Sequence, residues 1–247
     1  MKNMKTKLMT GLVAVFGVTS ILMSSLAFPV SVFASESDLE QRLEALEKAG
    51  ISRSSLSPEQ IEVLNKMDEK EEEYAKYGDT APLEPDKADK TRAAYGNWSW
   101  RDGVICVTEE GSNLLVVNSW HAAIVAPQKI EVVAEAEGIG KTVRLRKGMW
   151  TSNKYKIWQV GVKSTSVQQD LKVGEWAGKQ VGKPYNLNFW NIKQKDSFYC
   201  SQLVWAAYYY TAGVDLDKTD NNIGSAWAVH PGEFVDNTLT AITYRNR

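Results

Sequence analysis

Two cysteines and two histidines are all that the 247 residues contain of these types. That scarcity excludes a scaffold stapled by several disulfides, since Cys106 and Cys200 make one bridge at most. It also argues against a zinc site, because the four residues stand at no ligand-like spacing. A basic excess is missing too: 29 Lys and Arg against 30 Asp and Glu leave a net charge of −1. With no basic helix, nothing points to a nucleic-acid partner. There is no internal repeat and no low-complexity tract. GIGK at 138–141 lacks the rest of a phosphate-binding loop and reads as a turn, so no metal or organic cofactor is expected.

What is present begins with a leader. Lysines 2, 5 and 7 precede an uncharged apolar stretch, and Val32 and Ala34 flank a cleavage point, the pattern of a secretory signal peptide over 1–34. The expected location is secreted, extracellular or cell-wall associated. Leu, Ile and Val run almost to the cut, so an uncleaved membrane anchor is the alternative.

Charge then divides the chain. Residues 35–90 carry 16 acidic and 8 basic side chains, net −8, whereas 91–247 carry 14 and 18, net +4. The acidic segment, 35–78, reads as two helices. Ser37 opens a capping box ahead of Leu39, Leu43 and Leu46, with Gly50 as the stop. Ser57-Pro58-Glu59-Gln60 opens the second helix, with Leu56 positioned to staple onto Ile61 and the run continuing toward Tyr77. Residues 79–96, with two prolines and many charges, read as a linker. The opposite charges make an intramolecular cover over the following domain one role for the segment; a stalk or a docking element are the others.

Over 97–247 the pattern changes to short β-rich runs at 103–108, 114–126, 129–136, 141–146 and 154–162, separated by Gly, Asn, Ser or Pro. A meander of antiparallel strands is the simplest arrangement. Residues 165–182 have helical spacing, and a second helix starts near Ser197 or Phe198. Strands and helices are segregated, which predicts an α+β fold. Nine Trp and ten Tyr supply core without a disulfide framework.

The second helix, beginning FYCSQLVWAAYYY, is apolar all round and therefore buried. Cys200 falls in its first turn, where free backbone N–H groups and the helix dipole favour a thiolate and can hold an oxyanion. A thiolate nucleophile needs a base. His121, opening what reads as a central strand, is the first candidate, and His230, in a loop before Pro231, the second. Glu131 and Glu135 on the next strand are candidates to orient the base, Glu135 being oddly placed among Val133, Ala134 and Ala136 unless it is paired. The bland alternative leaves Cys200 as packing, or bridges it to Cys106 in a non-catalytic wall-binding module.

GKPYN at 182–186 and CSQLV at 200–204 resemble the GxPY and CSxLV signatures of NlpC-type papain-like cysteine hydrolases. RDGVICV at 101–107 and HAAIVA at 121–126 resemble the sheet that normally follows the cysteine. Here it precedes, as in the circularly permuted YiiX/YycO-like branch. The resemblance spans about 97–236 and implies a permuted papain-like fold. It makes Cys200 the nucleophile, His121 the base and Glu135 the orienting carboxylate, with Tyr185, Tyr199 and Ser201 beside the substrate. It further implies a secreted bacterial hydrolase of amide bonds in peptides or γ-linked wall peptides, with acyl-lipid amides or esters as the rival substrates. One departure stands out. Wall peptidases of this superfamily commonly carry Asp-Cys-Ser, whereas this chain reads Tyr199-Cys200-Ser201, which leaves stem-peptide specificity open.

Overall fold

The computed structural model describes residues 36–87, 96–109, 120–147, 149–152, 154–218 and 228–246. The expected signal peptide (1–34) with its cut at Ala34, linker residues 88–95 and the 114–119 part of the second β-rich run lie outside them. No helix among the described residues is long and apolar enough to cross a membrane.

Among the described residues, six strands form one antiparallel sheet: β1 (Ile105–Thr108), β2 (His121–Val125), β3 (Val133–Ala136), β4 (Val143–Arg146), β5 (Ile157–Val162) and β6 (Thr240–Arg245). Their order is β4-β3-β2-β1-β5-β6. The meander holds through β4 and then stops, because the outer edge of β4 is already taken: Val143 N–H donates to Lys183 O and Gly182 N–H to Val143 O, both at 2.8 Å. β5 therefore returns beside β1. The sequence reading omitted β6, although its alternating TAITYR run carries the signal.

Helices α4 (Val167–Gly178) and α5 (Cys200–Ala212) cover one face of the sheet. Ile105, Val107, Ala122, Ile124 and Ala134 point into that layer with Leu203, Val204 and Ala207. Cys106, Ala123, Val125 and Val133 alternate to the other face, under Trp150 and Ile157. Both faces are covered, which is why the strands read as continuous apolar runs. α4 starts at a capping box of Ser166 and Gln169. It lies close on β2 because Gly174 has no side chain: a Cβ there would stand 2.7 Å from Val125 O.

The acidic segment comprises α1 (Glu36–Lys48), α2 (Pro58–Asn65) and α3 (Met67–Thr80). Ser37 lies inside the first turn of α1 rather than at its cap. The Ser57–Gln60 capping box forms as read. The single long helix expected after it bends at Lys66, between buried Leu64 and Met67. These helices share the main core: Leu43, Leu46, Leu64, Met67 and Tyr74 are buried with the sheet residues. Tyr74 seats on the 3-10 turn Pro231–Phe234, where Gly232 makes room, a Cβ there falling 2.2 Å from the ring. Residues 81–87 are tied down as well. Glu84 N–H donates to Ile242 O at 2.7 Å. Arg101 bonds Asp86 and the buried Asp170, each at 2.5 Å, and Lys87 reaches Asp170 at 2.9 Å.

Candidate active site

Cys200 is the first residue of α5, with Tyr199 in extended backbone at the cap. The first-turn N–H groups have no intrahelical acceptor, so they face outward at the sulfur's end of the helix. Gln202 fixes this end. Its Oε1 accepts from Tyr199 N–H at 3.2 Å and Asn186 Nδ2 at 2.8 Å, and its Nε2 donates to Ile192 O at 3.0 Å. The GKPYN stretch is thereby bound to the helix start. Tyr185 N–H donates to Lys141 O at 3.1 Å, which anchors the same stretch to the sheet.

His121 opens β2, at the end of the sheet nearest the Cys200 sulfur. Its Nε2 stands 3.2 Å from Glu135 Oε2. An ionised carboxylate only accepts, so Nε2 carries the proton and Nδ1 is left for the sulfur. Nδ1 is buried and makes no hydrogen bond. Glu135 is fully buried. Its Oε2 also accepts from Trp150 Nε1 at 3.2 Å, and its Oε1 from Arg146 Nη1 at 3.1 Å and Arg144 Nε at 3.3 Å. Register explains the arginines, since Glu135 pairs with Arg144 across β3 and β4. Glu131, the rival carboxylate, sits in the preceding turn, exposed and paired to Lys147 at 2.6 Å.

Electrostatics couple the three groups. Burial raises the Cys200 thiol, but the imidazole beside it and the Ala122 N–H outweigh burial and hold it below its ordinary value. Burial likewise opposes charge on His121, yet the sulfur and Glu135 lift it to about 10. Burial works against ionised Glu135 too, and His121 with Arg146 brings it down to about 2. All three directions describe a thiolate–imidazolium pair backed by a carboxylate.

His230 is elsewhere. It caps the 3-10 turn, its Nδ1 accepting from Gly232 N–H at 2.9 Å, while its ring stacks on Tyr74 and Nε2 meets Glu71 at 3.2 Å. Tyr185 stands beside the nucleophile, burial and the sulfur's charge raising its phenol. Ser201 and Tyr199, expected beside the substrate, both turn their hydroxyls to the backbone of Val229. Ser201 Oγ donates to Val229 O at 2.6 Å and Tyr199 Oη accepts from Val229 N–H at 3.0 Å, so the two hydroxyls hold the backbone on either side of Val229 Cα. The proposed bridge is overturned: both cysteines are free thiols. Strand alternation turns Cys106 away from α5, and burial pushes its thiol up to about 12. Trp150, Arg144 and Arg146 were missed; alternating Arg in VRLR opposite a lone buried Glu was the available signal.

The family described as permuted papain-like amidase enzyme, YaeF/YiiX, C92 family, matches residues 109–226. Residues 109–226 of the chain are therefore similar to this permuted papain-like family. Uncharacterized protein YycO of Bacillus subtilis (strain 168) is 31% identical over 80 residues. The match spans 31% of this chain and 31% of YycO's own length. A crystal structure of the protein called metalloprotein yiiX, from Escherichia coli O157:H7, aligns at TM-score 0.47 and 20% identity, covering 60% of this chain and 99% of that one. Among the described residues here, no group of three His, Cys, Asp or Glu side chains is placed to hold a metal ion. The family match takes in β2, β3, the GKPYN stretch and Cys200.

Proposed function

We propose that the protein is a secreted cysteine hydrolase of amide bonds, with Cys200 as nucleophile, His121 as base and Glu135 as orienting carboxylate. The observation that carries this is the buried Cys200–His121–Glu135 series, in which a helix-start sulfur lies below its ordinary pKa and Nε2 bonds a carboxylate at 3.2 Å. The family's description as amidases supports the bond type.

The Cys200 sulfur attacks the carbonyl carbon, and first-turn N–H groups receive the developing oxyanion. His121 Nδ1–H gives its proton to the leaving nitrogen as the C–N bond breaks, leaving a thioacyl-enzyme. The neutral imidazole then takes a proton from water, which attacks the thioester and restores the thiolate and imidazolium. Export follows from the leader pattern of 1–34, and wall peptides or γ-linked amides are the substrates an exported enzyme of this kind meets first. An acyl-lipid reading gains nothing from two of the three aromatic residues that could line a channel: Phe198 is fully buried edge-on to Trp176, and Phe189 edge-on to Tyr199, while Trp190 is half-buried.

The test is trapping. Wild type incubated with a γ-glutamyl dipeptide activated as an ester should show a single acyl mass adduct on Cys200. Cys200→Ala should show none, and His121→Ala should acylate far more slowly. Equal acylation in the His121 variant refutes the assigned base.

A further inference from the structure

We propose that Trp150 is a positioning residue of this site, setting the plane of the His121 imidazole and holding the Glu135 oxygen that orients it. The inference rests on the assignment of Cys200 and His121 made above.

Trp150 is fully buried on the 3-10 turn Met149–Thr151 that follows β4. It touches both partners at once. Its indole lies against the imidazole, centroids 5.6 Å apart and planes 26° from parallel. Its Nε1 donates at 3.2 Å to Glu135 Oε2, the oxygen that also receives His121 Nε2. A ring held by one hydrogen bond can still turn about that bond. A second ring stacked on its face prevents the turn and keeps Nδ1 directed at the sulfur.

The donors are divided between the two oxygens. Oε2 takes the two buried, geometrically fixed ones, and Oε1 takes Arg144 and Arg146, whose side chains are 40% and 31% exposed. The arginines supply charge, which solvent partly screens. Trp150 supplies none, so its effect is direction. A carboxylate has about four acceptor positions, and here four donors meet them. All four donors favour the ionised carboxylate, two of them as guanidinium groups, so Glu135 acts as a fixed negative charge.

A buried tryptophan also fills space, and the experiment separates the two roles. Trp150→Phe keeps an aromatic face on His121 and removes the N–H. Replacement by the benzothienyl isostere of tryptophan removes the N–H with the shape intact, and serves if the Phe variant does not fold. Iodoacetamide alkylation of Cys200 is followed against pH in wild type and both variants. The expected result is an upward shift of the reactivity inflection and a roughly tenfold slower rate at neutral pH in both, the size of one hydrogen bond to a charged group. Profiles that coincide with wild type overturn the role of Trp150 and leave Cys200 and His121 as assigned. An ordinary thiol titration in the wild type itself overturns the nucleophile assignment, and this inference with it.

Discussion

Replacing Glu135 with Gln keeps the shape of the most connected side chain in the site and removes its charge. The carboxyl, titrating near 4.5 when free, is drawn to about 2 by His121 and Arg146 against the cost of burial. That difference corresponds to about 3 kcal/mol of folding free energy at neutral pH. The sign is that of a depressed carboxyl: the stabilisation is complete above pH 4.5 and is lost as pH falls toward 2. Glutamine adds a second cost. One of its terminal atoms is an NH2, which must face either the arginine pair or His121 with Trp150, so two of the four donors lose their acceptor. The arginines can turn to water; the buried pair cannot. The better orientation therefore leaves the carbonyl on His121 and Trp150. Urea unfolding followed by tryptophan fluorescence, at a series of pH values, should show the variant less stable by about 3 kcal/mol at pH 7, a large share of a typical domain's ~5–15 kcal/mol. The gap should narrow once pH drops below 4.5. A gap of the same size at every pH would refute the charge argument and leave only packing.

Four further outcomes are expected. Because His121 is raised to about 10 by the sulfur and Glu135, acyl transfer should keep its general acid until pH approaches that value, and a basic limb near pH 7 in the rate profile would contradict the ion pair. Gly232→Ala should cost roughly 1–3 kcal/mol by overpacking, since its methyl meets the Tyr74 ring; an unchanged melting temperature would show that α3 is loosely seated. In the native protein, iodoacetamide should label Cys200 alone, because the Cys106 thiol is pushed up to about 12 while that of Cys200 is held below its ordinary value; intact mass without reduction should show two thiols, and a species two mass units lighter would restore the bridge. Deleting 36–80 should abolish soluble expression, since Tyr74 and Met67 belong to the main core; a folded, more active fragment would instead support an intramolecular cover.

Much of the fold was legible because its signals are local. The capping box at Ser57 depends on residues three apart, and it forms. The strands at 105–108 and 133–136 are read from short apolar runs bounded by turn residues. The bend at Lys66 was not readable, since the helical pattern continues through it and the break depends on how Leu64 and Met67 meet a core assembled from elsewhere. Within the site, Cys200 and His121 stood out by rarity. Glu135 stood out as a charge among alanines and valines, but its choice over Glu131 needed to be settled by side-chain direction. Glu135 points inward from β3, while Glu131 lies in a turn with φ of 54°. For Ser201 and Tyr199, adjacency to the nucleophile suggested substrate contact, while the bonds of both hydroxyls to the Val229 backbone depend on a loop distant in sequence and were not readable.

By itself the sequence determined which groups were available for chemistry and, though it set the start near Ser197 or Phe198 rather than at Cys200, that the sulfur would lie in the first turn of a buried helix, because rarity and apolar periodicity act over a few residues. Only the tertiary structure decided which of those groups meet. The distance from Cys200 to His121 along the chain is closed by α5 packing on β2, and the four donors around Glu135 come from β2, β4 and the turn after it. Hydrogen bonds and charge pairing in a buried site depend on angstrom-scale separations between segments distant in sequence. Those separations are set by strand register and by close approaches such as Gly174 on Val125, which no local pattern encodes.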